Sequence, residues 1–586
     1  MFGKQQLLSL KAFWTNDDPG SRYFIPGQGQ VKLGQREFKG QGGEGSVYVK
    51  GRHAYKIYAD PSRCIAPAKI DELSVLAQPN IIRPLDLVLD ARNRPVGYSM
   101  RYVGKAHSLC QLFPKAFRER NSITPDLTLR LVRHLQTGVS HVHSKGILIV
   151  DLNEMNFLVS NDFKEMFFID VDSYQTPSFP ATVLMDSVRD RHATTFTRDS
   201  DWFSFAVVSF QMFIGIHPFK GTYPPFQHLR DNTQKLDARM RANVSVLHKG
   251  VSVPPACLPL SVIPPVYLDW YRAVFEQGQR LPPPDAVQAV VVVVGPTTAP
   301  AVESRSFKIA KIREFDSQII WHDGVITVTE QSVYFDGKRY AKPPFDVKLI
   351  VTPRRRHLIA AYHDGMRLTF RDLTRDQNIE TQIEGEEVML SHGQLYIKQH
   401  ENIFAIDLIE LPNNFLLSLR SVANVMMNAT RMFEGLAIQN LLGASYASIP
   451  GTGNVCHQVR LPELDSARIV DAKLYRNVLV VVVADKGRYD KLIFRFSKDF
   501  AAYDVRRLQD VATTGIEFTV LDTGVVLHLN DDNNLEVFSS TKDSAKLSVL
   551  EDEALKENLK LFHTGAQALM AKGRNLYKFG LTGFIR

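Results

Sequence analysis

The chain has 586 residues, 44% of them hydrophobic and 23% charged, with a formal net charge of +8. This length predicts roughly three to four domain-sized units, or two large ones, with ordinary apolar content for packed cores. The mild basic balance permits acidic partners without calling for nucleic acid, and the densest basic run, at 354–356, reads as a solvated turn. Cys64, Cys110, Cys257 and Cys456 are scattered with no CxxC spacing. Neither a disulfide framework nor a zinc site is indicated, and a reducing, cytoplasmic compartment fits. The start, MFGKQQLLSLKAFW, has no long apolar core, and no apolar run approaches ~18 residues, so neither a signal peptide nor a membrane span is expected.

Residues 1–29 read as a loop-rich extension, and a strand is expected at 35–39. GQGGEGSVYVK follows, with Gly40, Gly42 and Gly45 in G-x-G-x-x-G spacing, Gly43 inside it and Val47 two residues beyond. A dinucleotide fingerprint requires a helix next. SVYV is β-branched and aromatic, which predicts a strand instead. A strand–glycine loop–strand hairpin can fold over phosphates, because glycine leaves the backbone N–H groups accessible. HAYKIY is the third strand, with Lys56 on an inward face. A buried ammonium is costly unless paired, and phosphate oxygens and a helix carboxylate are its natural partners. The helix expected at 66–76 should supply that carboxylate. Glu72 is the first choice and Asp71 the reserve, although a gapless alignment to the family resembled below places Lys69 there. Strands at 81–89 and 96–102 follow, and the stretch from Met100 through Tyr102 to Val103 is where the family resemblance drawn below implies a hinge whose backbone meets an adenine edge.

Thr124 and Pro125 form a helix start, and Leu131, Leu135, Val139 and Val142 give the helix one apolar face. It leads into HSKGILIVDLNEMNFLVSNDFKEMFFID. Asp151 and Asn156 lie five apart on a polar loop, and Asp170 ends the apolar run MFFI. A loop–strand–turn–strand–acid order can hold one proton acceptor and two oxygen ligands around a magnesium–phosphate centre. Further on, Asp201 is read as the cap of an apolar helix that stops at GIHPFKG.

The D-L-x-x-x-N spacing, followed by an apolar strand ending in aspartate, resembles the catalytic and metal loops of protein kinases. The order from glycine loop to capped helix extends the resemblance over 30–285. GGEGSVY, AYKIY and IDVDSYQ are most similar to a bacterial or phage group of serine/threonine-kinase-like proteins. That resemblance implies ATP with Mg²⁺ as cofactor. It implies that Asp151 orients the substrate hydroxyl, Asn156 and Asp170 hold metal, and Lys56 holds the α/β-phosphates. It also implies phosphatase or von Willebrand-type partners. The sequence departs from the kinase pattern at Ile149, Val150 and Asn153, and at Asp172, where the third position of the metal motif is ordinarily glycine.

Residues 286–304, rich in proline, alanine and valine, read as an extended linker. From 305 onward, alternating strands recur every 30–47 residues with turns such as HDG, SHG and NDDN. This pattern predicts about seven propeller blades, with the segment at 306–312 closing the ring, and leaves six blades or a two-sheet sandwich as alternatives. The expected fold is therefore an α+β bilobal kinase-like domain, with an N-lobe at 30–103 and a C-lobe at 104–285, followed by an all-β propeller at 305–586. Two functions follow. One is a serine/threonine protein kinase whose propeller recruits a protein substrate or scaffold. The other is a pseudokinase, a nucleotide-binding or inert interaction scaffold.

Overall fold

The computed structural model describes residues 21–581, apart from 182–183, 285–306, 345, 355, 365–366, 412–413, 452–454, 486, 522–523, 539–547, 552–558 and 565–566. The linker expected at 286–304 and residues 1–20 of the expected extension lie outside the described residues. Two regions are seen, one α+β and one all-β.

The α+β region opens with a seven-stranded antiparallel sheet. Its strands are β1 (Ser21–Ile25), β2 (Gly29–Leu33), β3 (Phe38–Gln41), β4 (Gly45–Lys50), β5 (His53–Tyr58), β6 (Pro84–Leu89) and β7 (Pro95–Arg101), in the order β2-β1-β6-β7-β5-β4-β3. Residues 21–29, read from the sequence as loop, supply β1 and the start of β2. The Pro-Gly tract there is a hairpin turn, with Gly27 and Gly29 at positive φ. Its strands bury Ile25, Val31 and Leu33 against Tyr55, Val88 and Val96. Each such side chain removed from water contributes about 1.5–3 kcal/mol.

Helix α1 (Pro67–Leu73) packs on this sheet through Leu73, with Leu76 buried just beyond its end. Helices α2 (Lys115–Arg120), α3 (Pro125–Ser144), α4 (Arg198–Ile214), α5 (Asn232–Arg241) and α6 (Pro265–Phe275) follow, with a small sheet of β8 (Ala106–Ser108), β9 (Phe157–Ser160) and β10 (Met166–Phe168). Thr124 caps α3 as its sequence predicts, accepting the Leu127 N–H. Gly138 lets α3 close on β10, since a Cβ there would meet a Phe168 ring carbon at 2.2 Å. The cap of α4 is Thr197, in a capping box with Ser200, and not Asp201. Asp201 sits one turn inside the helix and points into the core.

The all-β region holds seven four-stranded antiparallel sheets among the described residues. Their first strands are β12 (Ile319–His322), β16 (Lys348–Val351), β20 (Glu387–Ser391), β24 (Thr430–Phe433), β28 (Arg468–Tyr475), β32 (Phe518–Val520) and β36 (Leu559–Thr564). Six sheets follow chain order. The last is completed from the far end of the region, where β11 (Phe307–Glu314) pairs along β38 (Asn575–Leu581). First strands of neighbouring sheets touch at β16–β20, β20–β24, β24–β28 and β32–β36, and β36 returns to β12. Strand β29 (Val478–Asp485) is buried on both faces. Leu479, Val481 and Val483 join a core within the all-β region, while Val478, Val480 and Val482 belong to a core continuous with helices α3 to α6. A period-two side-chain alternation thus fastens the two regions together. No helix among the described residues is long and apolar enough to cross a membrane.

Candidate active site

The strand pairing builds the site. Lys56 stands opposite Val47 on β4 and opposite Tyr98 on β7. Tyr58, two residues along β5, shares its face. Lys56 is only 8% exposed, as an inward strand lysine should be. Its ammonium meets Glu44 at 2.9 Å, Asp170 at 3.0 Å and Asp172 at 2.8 Å. Burial pulls the ammonium down, but the oxygens of Tyr98, Asp172, Asp170 and Tyr58 outweigh it and hold Lys56 above its ordinary value.

The helix acid expected to pair Lys56 does not do so. Glu72 accepts the Ser178 N–H at 3.2 Å. Lys69 is the buried residue of α1 that reaches the centre, donating to the Asp172 carbonyl at 2.6 Å. The buried face of this helix is that of Lys69, Ile70 and Leu73, and Glu72 lies at its margin, turned to the Ser178 backbone. Asp172 takes the acid's place. Its Oδ1 accepts the Tyr98 hydroxyl and its Oδ2 the Tyr58 hydroxyl, both at 2.7 Å. Burial would raise the Asp172 carboxyl, but Lys56 and the two phenols hold it below the ordinary carboxylate range. Asp170 is shifted the other way, raised by burial and by the neighbouring Asp172. Sequence reasoning missed Glu44, Tyr58 and Tyr98 as members of this centre, and named Lys69 only as the residue that a gapless alignment puts in place of the helix acid. The signal for Tyr58 was the period-two spacing in HAYKIY.

The catalytic-loop candidates share the same cleft. Asp151 is buried, and its Oδ1 accepts the Met185 N–H at 2.8 Å. Burial raises this carboxyl, and the Met185 N–H acts in the opposite direction. Asn156 donates its amide to the Asp151 carbonyl at 3.0 Å and to Oδ2 at 3.3 Å. That commits the amide nitrogen and turns the amide oxygen away from Asp151. Val150 and Asp170 both adopt left-handed φ, 63° and 60°. For a β-branched valine this conformation is strained, by about 1–3 kcal/mol. Asp201 holds the backbone there. Its carboxylate accepts Ile149 N–H at 2.8 Å, Val150 N–H at 2.9 Å and His143 Nε2 at 2.9 Å.

The glycine hairpin closes over this centre. Gly42 N–H bonds the Gly45 carbonyl at 2.8 Å. Gly45 is required sterically, since a Cβ would stand 2.1 Å from the Ile57 oxygen, whereas Gly40, Gly42 and Gly43 face open space. These glycines, Val47, Lys56, Met100, Tyr102, Asp151, Asn156 and Asp170 line one cavity of about 1980 Å³. The backbone donor of Tyr102 is already bonded to the Arg52 carbonyl at 2.9 Å and is not available to a base edge.

The same cavity is lined by residues of the all-β region, among them Lys348, Arg431 and Glu434. That region also grips the loop between Asp151 and Asn156. Arg468 donates to the Met155 carbonyl and to Ser108 Oγ, both at 2.7 Å, and the Tyr489 hydroxyl bonds the buried Glu154.

Mg²⁺ suits the donors present. Carboxylate oxygens of Glu44, Asp170 and Asp172 lie within 4.8 Å of one another, and hard oxygens of this kind are its preferred ligands. Both Asp172 oxygens are already engaged, whereas Asp170 has a 37% exposed side chain.

No family model matches the chain. It is similar to protein kinase YegI of Escherichia coli O157:H7 and of Escherichia coli strain K12, with 25% identity over 252 residues in each case. The match covers 38% of this chain, and the chain spans 38% of the length of these relatives. This similarity supports a kinase-like relationship.

Proposed function

We propose that the chain is an ATP- and Mg²⁺-dependent serine/threonine protein kinase that transfers the γ-phosphoryl group to a protein hydroxyl. The observation that carries this reading is the convergence of Lys56, Asp151, Asn156 and Asp170 in one cavity under a glycine hairpin. Lys56 would bind the α/β-phosphates as a fixed cation. Asp151, seated beside Asn156, would accept a hydrogen bond from the substrate hydroxyl and orient it. Asn156 and Asp170 would hold Mg²⁺, which when bound supplies charge neutralisation for phosphate oxygens. Asn153 stands where kinases carry a lysine, so one electrostatic contact to the transferring group is absent, at a cost on the order of 10²–10³ in rate.

The seven small sheets are read as blades of a propeller closed by β11 on β38, serving as a protein-interaction module. A protein substrate or scaffold is the partner class, with a phosphatase or von Willebrand-type partner suggested by the resemblance and a cytoplasmic setting by the free cysteines.

A second reading, a pseudokinase serving as a nucleotide-binding or inert interaction scaffold, is favoured by the groups already occupied: Glu44 on Lys56, Met185 N–H on Asp151 and Arg52 on the Tyr102 donor. Labelled ATP with purified protein decides between the two. Transfer by the wild type that is lost in both Asp151→Ala and Asp170→Ala supports the kinase. Nucleotide-dependent thermal stabilisation without transfer supports the scaffold.

A further inference from the structure

We propose that Asp172, and not an acid on helix α1, is the carboxylate that positions Lys56 for the phosphates, with the charges of the usual helix–strand pair exchanged. This rests on the kinase reading above. In that pair a helix brings an acid to the strand lysine. Here the helix brings a cation, Lys69, and the acid comes from the loop that follows Asp170.

The geometry separates the tasks of the acids around Lys56. Asp172 is 8% exposed, and both of its oxygens are engaged, Oδ1 by Tyr98 and Oδ2 by Lys56 and Tyr58. Its side chain is only 5% exposed, so a metal would have to enter a buried pocket already filled by two phenols and an ammonium. Asp170 and Glu44 have side chains more than a third exposed, and each shows only a single bond to Lys56. They are free to turn towards a ligand. Asp172 therefore fixes the lysine, while Asp170 faces the cleft.

Lys69 fits the same division. Its ammonium bonds the Asp172 main-chain oxygen, so it steadies the loop without competing for the carboxylate. Tyr58 and Tyr98 lie on the strands that flank the site, opposite or beside Lys56 in register, and hold Asp172 from the sheet side. Because lysine, phenols and acid are tied to the sheet and the loop, α1 bears on the Lys56–Asp172 pair only through the Lys69 bond to the Asp172 main-chain oxygen.

The test is steady-state kinetics of the full chain with ATP and a protein acceptor, comparing wild type, Asp172→Asn, Glu72→Gln and the double variant Lys69→Glu/Asp172→Asn. Asp172→Asn is expected to lower kcat/KM for ATP by roughly 10²-fold, in the range of a lost electrostatic contact, with KM raised as well as kcat lowered. Glu72→Gln is expected to change neither by more than about twofold. The double variant returns an acid to the helix and is expected to recover at least about tenfold of the loss. Recovery separates positioning from a packing role, since moving a carboxylate does not restore the buried phenol contacts. Thermal unfolding of each variant checks folding.

Three results overturn the proposal: wild-type KM and kcat in Asp172→Asn, a loss in Glu72→Gln as large as that in Asp172→Asn, or a double variant no better than the single one. If the wild type neither transfers phosphate nor is stabilised by ATP, the kinase reading itself fails and this proposal falls with it. That outcome is distinguishable, because it shows in the wild type alone.

Discussion

Replacing Asp201 tests the bracing of the loop that leads into Asp151. Its carboxylate is fully buried and accepts hydrogen bonds from Ile149 N, Val150 N and His143. Asp201→Ala leaves two backbone N–H groups without acceptors in a dry core. Each unsatisfied donor costs about 1–3 kcal/mol, so the loss should be about 2–6 kcal/mol. Asp201→Asn keeps one oxygen acceptor but presents an NH₂ to the other donors, and should fall between wild type and alanine. Urea unfolding followed by tryptophan fluorescence measures both, because Trp202 packs edge-on against His143 with ring centres 5.1 Å apart. The strained Val150 should relax in the alanine variant and carry Asp151 with it. A displacement of about 1 Å can cost on the order of 10²-fold in rate. An Asp201→Ala protein destabilised by less than about 1 kcal/mol, with unchanged phosphoryl transfer, would refute the reasoning.

Glu44→Gln removes a carboxylate that competes with phosphates for Lys56, so the KM for ATP should fall about 3- to 10-fold; a tenfold change corresponds to about 1.4 kcal/mol, and an unchanged or raised KM counts against the competition. Arg468→Ala deletes two charge-assisted hydrogen bonds to the α+β region, and the melting temperature should drop as phosphoryl transfer weakens. Equal melting temperatures for variant and wild type would show that the contact stabilises nothing.

His217 gives a pH test. Burial pushes its imidazole down to about 3. Its Nδ1 accepts the Phe219 N–H and its Nε2 faces the Ser187 carbonyl, an arrangement only the neutral ring satisfies. The folded value is depressed, so the unfolded chain binds the extra proton. The contribution of His217 is therefore present above about pH 6.5 and is lost as pH falls towards 3, by about 1.4 kcal/mol per pH unit. His217→Asn should flatten the slope of unfolding free energy between pH 6.5 and 4.5 by about one proton. Parallel slopes for the two proteins would exclude it.

Much of the site could be read from the chain. The glycine hairpin, the inward Lys56, the Asp151–Asn156 spacing and Asp170 are local patterns, and their placement depends on strand alternation and short turns. The N-cap at Thr124 was legible for the same reason. The cap of α4 was misread because an aspartate inside a helix and one at its start have the same composition. Only the fold shows that Thr197 accepts the first N–H groups while Asp201 turns inward to the loop.

The partner of Lys56 could not be read in the same way. Glu44, Glu72, Asp170 and Asp172 carry the same chemistry, and sequence distance does not rank them. The choice depends on which face α1 buries and on Tyr58 and Tyr98 meeting Asp172 across more than 70 residues. The hold of the all-β region on the loop between Asp151 and Asn156 is further beyond sequence reading, since Arg468 and Met155 are separated by 313 positions. Local periodicity and turn chemistry are properties of neighbouring residues, so the sequence by itself determined most of the strands and hairpins beyond residue 35 and the polar side chains that line the cleft. Pairing among equivalent charges is a property of the packed whole, so only the tertiary structure decided which acid holds the lysine and what covers the cleft.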